Sequence, residues 1–339
     1  VPPSLFLLVS AVLVIIKCQA LITPHCLLIT FLQGPADPMT IWKHYTVAHS
    51  IENALGALRA SPGPARLVAG GTDYLLELQQ GHHPQVDTLV DITGLPELRC
   101  LEVRGNRLFI GAAVPVSQVT ESALVNEHAR AVAEGCGLIG GPQVRNAATL
   151  GGNVAHALPA ADGMIGLVAL DAQAEIASAA EDGTVTTRLA PMLSLFAGPG
   201  KSTLDPIREM LIGFYLTLCQ VGEASAFARV MRPQGVALPI LNLAVWLKRE
   251  GECIADLRIA VGPAGPVPQR ARAVEDFLRG RPFSAGGLAQ AEQILAENLR
   301  FRSSPRRSTA EYRHHLVGTL FEQVISTVWD RAALSVEVG

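Results

Sequence analysis

The chain has 339 residues, 49% of them hydrophobic and 5% aromatic, and its 27 basic and 30 acidic side chains leave a formal charge of -3. This length outruns one simple core and points to two or three units, and the charge balance excludes the basic face that nucleic acid demands. The six cysteines, Cys18, Cys26, Cys100, Cys136, Cys219 and Cys253, form no C-x-x-C pair and have no histidine at ligand spacing. They read as reduced thiols of a cytoplasmic protein, not as a zinc or iron–sulfur site.

Residues 1–38 hold two apolar stretches, 5–16 with a break at Ser10 and 26–32, with Lys17 between them. Lacking a basic leader and an uninterrupted span, they make a poor signal peptide and a poor membrane-crossing helix. They read as an upstream extension or misplaced start outside the fold, with a membrane anchor as the alternative, and globular patterning starts after Met39 with Trp42-Lys43-His44-Tyr45. Ser50 followed by Ile51, Ala54, Leu55 and Leu58 predicts a capped amphipathic helix that stops near Ser61-Pro62-Gly63-Pro64. Strands are expected at 66–69 and 86–92, and a hairpin at 98–111 around Gly105-Asn106. One long helix is expected over 116–136, with Ser117 as its cap. Beyond it, 164–170 reads as a buried helix, and 174–178 with 185–189 as a hairpin about Glu181-Asp182-Gly183. The run 237–247, the turn 248–252 and the segment 253–261 predict an antiparallel pair, on which helices at 271–278, 287–298 and 309–328 would pack.

Two glycine pairs punctuate this order. Ala69-Gly70-Gly71-Thr72-Asp73 follows the apolar Leu67-Val68. Thr149-Leu150-Gly151-Gly152-Asn153 lies between Gln143-Val144-Arg145-Asn146 and Pro159-Ala160-Ala161-Asp162. Paired glycines let the main chain take positive φ and turn its N–H groups toward an anion, which holds phosphate without basic side chains. One such pair usually marks only a turn; two in one domain suggest a diphosphate gripped from both sides. Asp73 also suits a helix cap, and Asp162 a turn. His82-His83 and His314-His315 read as solvated pairs, since no Cys or acidic partner stands at ligand spacing. Arg306-Arg307 reads as an exposed helix start or a contact with a partner. Gly200-Lys201-Ser202 is not a nucleotide-triphosphate loop, because Leu195 stands where G-x-x-x-x-G-K-[ST] needs glycine.

On these residues the chain after Met39 resembles the FAD-binding medium subunit of the molybdenum hydroxylases, the family of xanthine dehydrogenase and aerobic carbon monoxide dehydrogenase. The two glycine stretches match that family's pyrophosphate loops, and their flanks match its context. Phe196, Gly198, Thr203, Leu204 and Pro206 fall on its F-x-G…T-x-L-x-P stretch, without keeping the T-x-L spacing, and Glu311-Tyr312-Arg313 is similar to the opening of its last helix. The chain departs from the family at 229–239, where an acidic residue often stands near the flavin ring and none occurs here.

The resemblance implies an α+β fold: an FAD-binding domain of the vanillyl-alcohol-oxidase (PCMH) type over 39–218, in subdomains 39–95 and 96–218. A C-terminal α+β domain of the carbon monoxide dehydrogenase flavoprotein type would follow over 224–330, with a tail at 331–339. It implies FAD held by main-chain N–H groups of Ala69, Gly70, Gly71, Thr72 and Asp73, and of Thr149, Leu150, Gly151, Gly152 and Asn153. Leu67 and Val68 would line the adenosine or ribityl side, Asn153 and Asp162 would meet the ribityl hydroxyls, and Ile139 and Gly140 would pack against the cofactor. The implied role is electron transfer to an external acceptor, beside an iron–sulfur small subunit and a molybdopterin-binding large subunit. A stand-alone FAD-dependent oxidoreductase of the same fold is the alternative. No nucleophile or metal-ligand set is expected, since the cofactor carries the redox chemistry.

Overall fold

The computed structural model describes residues 41–232, 238–304 and 308–337; the extension 1–38 and the pair Arg306-Arg307 lie outside them. The first layer is a three-stranded parallel sheet in the order β1-β3-β2, built from β1 (Trp42–Val47), α1 (Ile51–Ala60), β2 (Ala65–Val68), α2 (Tyr74–Gln79) and β3 (Val86–Asp91). Ser50 caps α1 by accepting the Asn53 N–H, and Ala54, Leu55 and Leu58 are its buried stripe, as their spacing predicts. β1 was legible only as a lead-in, because its six residues carry too little apolar alternation to declare a strand.

The second layer is a five-stranded antiparallel sheet, β4-β5-β10-β6-β7. Its elements are α3 (Pro96–Arg99), β4 (Leu101–Arg104), β5 (Arg107–Gly111), α4 (Val116–Glu121), α5 (Ala123–His128), α6 (Arg130–Gly137), α7 (Pro142–Ala147), α8 (Leu150–Ala155) and α9 (Asp162–Ala169). There follow β6 (Gln173–Ala179), β7 (Val185–Pro191), the small pair β8 (Phe196–Gly198) and β9 (Lys201–Ser202), and β10 (Glu209–Thr217). The hairpin expected from residue 98 starts at Leu101, because 96–99 turn as α3 behind Pro96. The single helix expected over 116–136 is three. Ser122, not Ser117, supplies a cap by accepting the Val125 N–H, Asn126 Nδ2 takes the freed carbonyls of Thr120 and Ser122, and Ala129 leaves helical angles at φ -144 and ψ 47. The apolar stripe survives both breaks: Val116, Val119, Val125, Val132 and Cys136 all face one core.

The third layer is the antiparallel sheet β11 (Glu223–Val230), β12 (Leu241–Glu250), β13 (Cys253–Gly262) and β14 (Gln269–Arg270), covered by α10 (Arg272–Leu278), α11 (Ala285–Asn298) and α12 (Ala310–Glu337). α12 continues over 331–337, a stretch assigned to a tail on sequence. Along β12, Leu241, Leu243, Val245 and Leu247 pack under α10 to α12, while Ala244 and Trp246 complete the core of the five-stranded sheet. Cover on both faces is why 241–247 of this strand reads as an apolar run broken only by Asn242. β10 serves two cores in the same way, Met210 and Ile212 on one side and Leu211, Phe214 and Leu216 on the other. Its alternation slips by one at the irregularity between Leu211 and Gly213, where a Cβ on Gly213 would lie 2.3 Å from the Phe109 ring.

Candidate cofactor site

β2 delivers the chain to a turn at the carboxyl end of the parallel sheet, the end where such sheets meet ligands. Gly71 takes φ +65 there, a conformation that costs other residues about 1–2 kcal/mol. Among the described residues, the main-chain N–H groups of Gly70, Gly71, Thr72 and Asp73 have no protein acceptor. Four successive open donors at a turn are what an anionic group needs, and a chain rarely leaves them so without a ligand or solvent to receive them. Asp73 stands at the N-cap position just before α2, but its side chain makes no capping bond; its Oδ2 instead accepts the Thr72 hydroxyl at 3.4 Å. Leu67 packs with the α1 core and Val68 is buried beneath the turn.

This turn rests directly on the segment that leads to the second glycine pair. A Cβ on Gly70 would lie 2.0 Å from the Ala147 carbonyl oxygen and 2.9 Å from the Ala148 Cα, so only glycine permits the approach. The two stretches therefore meet, as a shared diphosphate requires.

The second stretch differs from its expectation. Leu150, Gly151, Gly152 and Asn153 form the first turn of α8 at ordinary helical angles, and their N–H groups are all spent within the protein. Leu150 donates to the Val114 carbonyl, Gly151 to that of Ala112 at 2.9 Å, Gly152 to the Thr149 Oγ1 at 3.0 Å, and Asn153 to the Thr149 carbonyl. The expectation of a second open row of donors at 150–153 is corrected by these bonds. Within this second stretch, and among the described residues, only the Thr149 N–H is without a protein acceptor. Gly151 is buried, with a would-be Cβ 2.5 Å from the Ala112 carbonyl; Gly152 is exposed, and a Cβ there would meet only the Thr149 hydroxyl, at 3.1 Å. One glycine serves packing, and the other leaves a bare surface.

Asn153 accepts the Met164 N–H on its Oδ1 at 3.2 Å, tying α8 to the start of α9. Asp162, expected to face ribityl hydroxyls, is instead buried against the third layer, where one oxygen pairs with Arg229 and the other takes the Asn242 amide at 2.8 Å. Burial pushes its carboxyl up, against the pull of Arg229 and Asn242. Neither partner stood out in the sequence, although Asn242 is the one polar residue in the run 238–247 and that interruption is a usable signal. The turn Ile139-Gly140 is pinned by Arg145, whose Nη1 donates to both carbonyls at 3.2 and 2.8 Å. His83 is not simply solvated, because its Nε2 lies 3.0 Å from Glu77. Among the described residues no group of three or more His, Cys, Asp or Glu converges for a metal ion, and no helix is long and apolar enough to cross a membrane.

Residues 39–216 match the family model of the FAD binding domain in molybdopterin dehydrogenase, and residues 225–328 that of the CO dehydrogenase flavoprotein C-terminal domain. The chain belongs to this family. Among its FAD-binding subunits, the xanthine dehydrogenase FAD-binding subunit of Escherichia coli O157:H7 is 31% identical over 286 residues, 83% of this chain and 94% of that one. The carbon monoxide dehydrogenase medium chain of Hydrogenophaga pseudoflava is 26% identical over 289 residues, 85% of this chain and 98% of that one. In structure, carbon monoxide dehydrogenase from Hydrogenophaga pseudoflava matches with a TM-score of 0.78 at 24% identity, over 85% of this chain and 98% of that one. That likeness establishes the mixed α+β fold of the FAD-binding and flavoprotein C-terminal domains. The relatives are medium subunits and FAD-binding subunits of larger complexes. The open donors at 70–73 and the bare surface at Gly152 fit the FAD-binding family in kind, being uncharged main-chain groups suited to a diphosphate.

Proposed function

We propose that this chain is the FAD-carrying electron-transfer subunit of a cytoplasmic molybdenum hydroxylase. Its partners are an iron–sulfur small subunit and a molybdopterin-binding large subunit. Bound FAD supplies both hydride and single-electron exchange; the chain supplies grip and orientation. In this reading Gly70, Gly71, Thr72 and Asp73 donate main-chain hydrogen bonds to the diphosphate, and Thr149 adds a fifth from the other side. Gly152 lets the diphosphate lie against α8, and Arg145 holds the Ile139-Gly140 turn against the cofactor. Asp162 acts one step back, anchoring α9 through Arg229. The observation that carries the reading is the row of four unpaired N–H groups on a turn packed against the second glycine stretch.

Purification of the full chain alone and with its genetic neighbours tests it. The expected result is a yellow protein that releases FAD on denaturation and co-purifies with an iron–sulfur chain and a molybdopterin chain. A colourless protein that takes up no added FAD overturns the cofactor assignment, and a flavoprotein that turns over by itself, without partners, overturns the subunit assignment.

A further inference from the structure

The helix that follows the first glycine stretch and the helix that the second stretch opens are both short. α2 and α8 have six residues each, a length of about 9 Å, too little for either to hold its place by its own hydrogen bonding. Their positions depend on what they touch, and α2 buries only Leu78. On the adjacent turn of α2, the Glu77 carboxylate bridges two imidazoles. Its Oε1 lies 3.3 Å from Nε2 of His156, the residue that ends α8, and its Oε2 lies 3.0 Å from Nε2 of His83. A carboxylate only accepts, so each imidazole donates. His83 is in turn steadied by the Tyr74 ring, with centroids 5.5 Å apart. Glu77 and His156 are each less than one-third exposed, which protects their contact from the screening that weakens surface pairs.

We infer that Glu77 and His156 are a clasp that fastens the first turn of α2 to the C-terminal end of α8 and so keeps the two phosphate-facing stretches closed on FAD. The first stretch already rests on Ala147 and Ala148, just before the second, and the clasp adds a tie from the first turn of α2 to the end of α8, so that neither stretch can swing away from the other. His83 is its positioning residue, holding one carboxylate oxygen so that the other meets His156. The inference rests on the FAD-binding reading above.

The test is the rate at which the full chain, loaded with FAD, releases it into a large excess of buffer, followed by the recovery of free-flavin fluorescence. His156→Leu removes the donor and is expected to speed release about tenfold, the worth of one hydrogen bond to a charged group. His156→Gln keeps an N–H donor and is expected to stay within about threefold of the wild type. The thermal midpoint of the FAD-free protein is expected to be the same for all three. Glu77→Gln, which keeps the shape and one acceptor but loses the charge, is expected to release FAD at an intermediate rate. Release from His156→Leu at the wild-type rate overturns the clasp, as does a Gln variant as leaky as the Leu one. A His156→Leu protein that melts earlier without FAD also overturns it, because the contact would then be structural. A wild-type chain that takes up no FAD removes the reading itself, and the clasp with it.

Discussion

The turn at 69–73 and the helix start at 149–153 carry the same glycine pair and use it in opposite ways. In the first, Gly71 turns into positive φ and four N–H groups are left open; in the second, the chain winds straight into α8 and uses the N–H groups of 150–153 for its own support. The difference lies in what surrounds them. Gly151 sits under the Ala112 carbonyl and Thr149 reaches over as a cap, so the second stretch has internal acceptors that the first lacks. A glycine pair thus marks close approach of the main chain to something, and only the neighbourhood decides whether that is protein or ligand.

Removing the buried guanidinium behind the second stretch is expected to have the largest effect. Arg229→Met leaves the Asp162 carboxylate buried and unpaired, at a cost of about 3–5 kcal/mol in urea unfolding of the FAD-free chain. A double variant Asp162→Asn, Arg229→Met is expected to regain much of that loss. Next comes Gly151→Ala, whose Cβ would strike main-chain atoms of Ala112, an expected loss of about 3 kcal/mol by the same measurement. A silent Gly151→Ala would mean that the second stretch is not closed by packing and does not differ from the first in that way.

Two further glycines, Gly71 and Gly152, separate the stretches more finely. Gly71→Ala must hold a side chain at φ +65 beside Leu75 and is expected to cost about 1–2 kcal/mol and to weaken FAD binding as the open donors shift. Gly152→Ala, on an exposed helix surface, is expected to change stability by no more than about 1 kcal/mol while still weakening FAD binding, as read by titration of the apoprotein. If Gly152→Ala bound FAD like the wild type, the diphosphate would not lie against α8.

The smallest expected effect is in acid. Burial raises the Glu209 carboxyl, but the Asp205 N–H, Arg188 and Ser178 outweigh it and hold the group below its ordinary value of 4.5. A group depressed on folding contributes stability above its unfolded value and loses it as the pH falls through the folded one. Glu209→Gln should therefore lower the unfolding free energy in urea near neutrality by less than about 1 kcal/mol, a deficit that shrinks as the pH falls below 4.5 and through the depressed folded value.

Much of the fold was legible where one physical signal dominated. Ser50 before a clean apolar stripe announced α1, and Glu181-Asp182-Gly183 between two short runs announced the β6–β7 hairpin. Less legible were segments whose cues conflict. The stripe over 116–136 is continuous, yet Ser122 and Asn126 capture carbonyls and cut the helix. β10 and β11 were not read at all, since strands covered on both faces lose the alternation that identifies them, and β10 shifts phase at Gly213 as well. In the site, the paired glycines could be found from sequence, but the fate of each N–H could not, because Val114 and Ala112 lie more than thirty residues upstream of the groups they accept. The Asp162–Arg229 pair spans sixty-seven positions and has no local pattern to betray it.

β12 belongs to two interiors at once, since Trp246 and Ala244, with Phe227 from the neighbouring strand, finish an apolar mass begun more than a hundred residues earlier. The two family modules are therefore halves of one cooperative body. Cutting the gene between them would expose a wet seam on each product, and recombination that swaps one half for a cousin's must bring along matching residues at that seam.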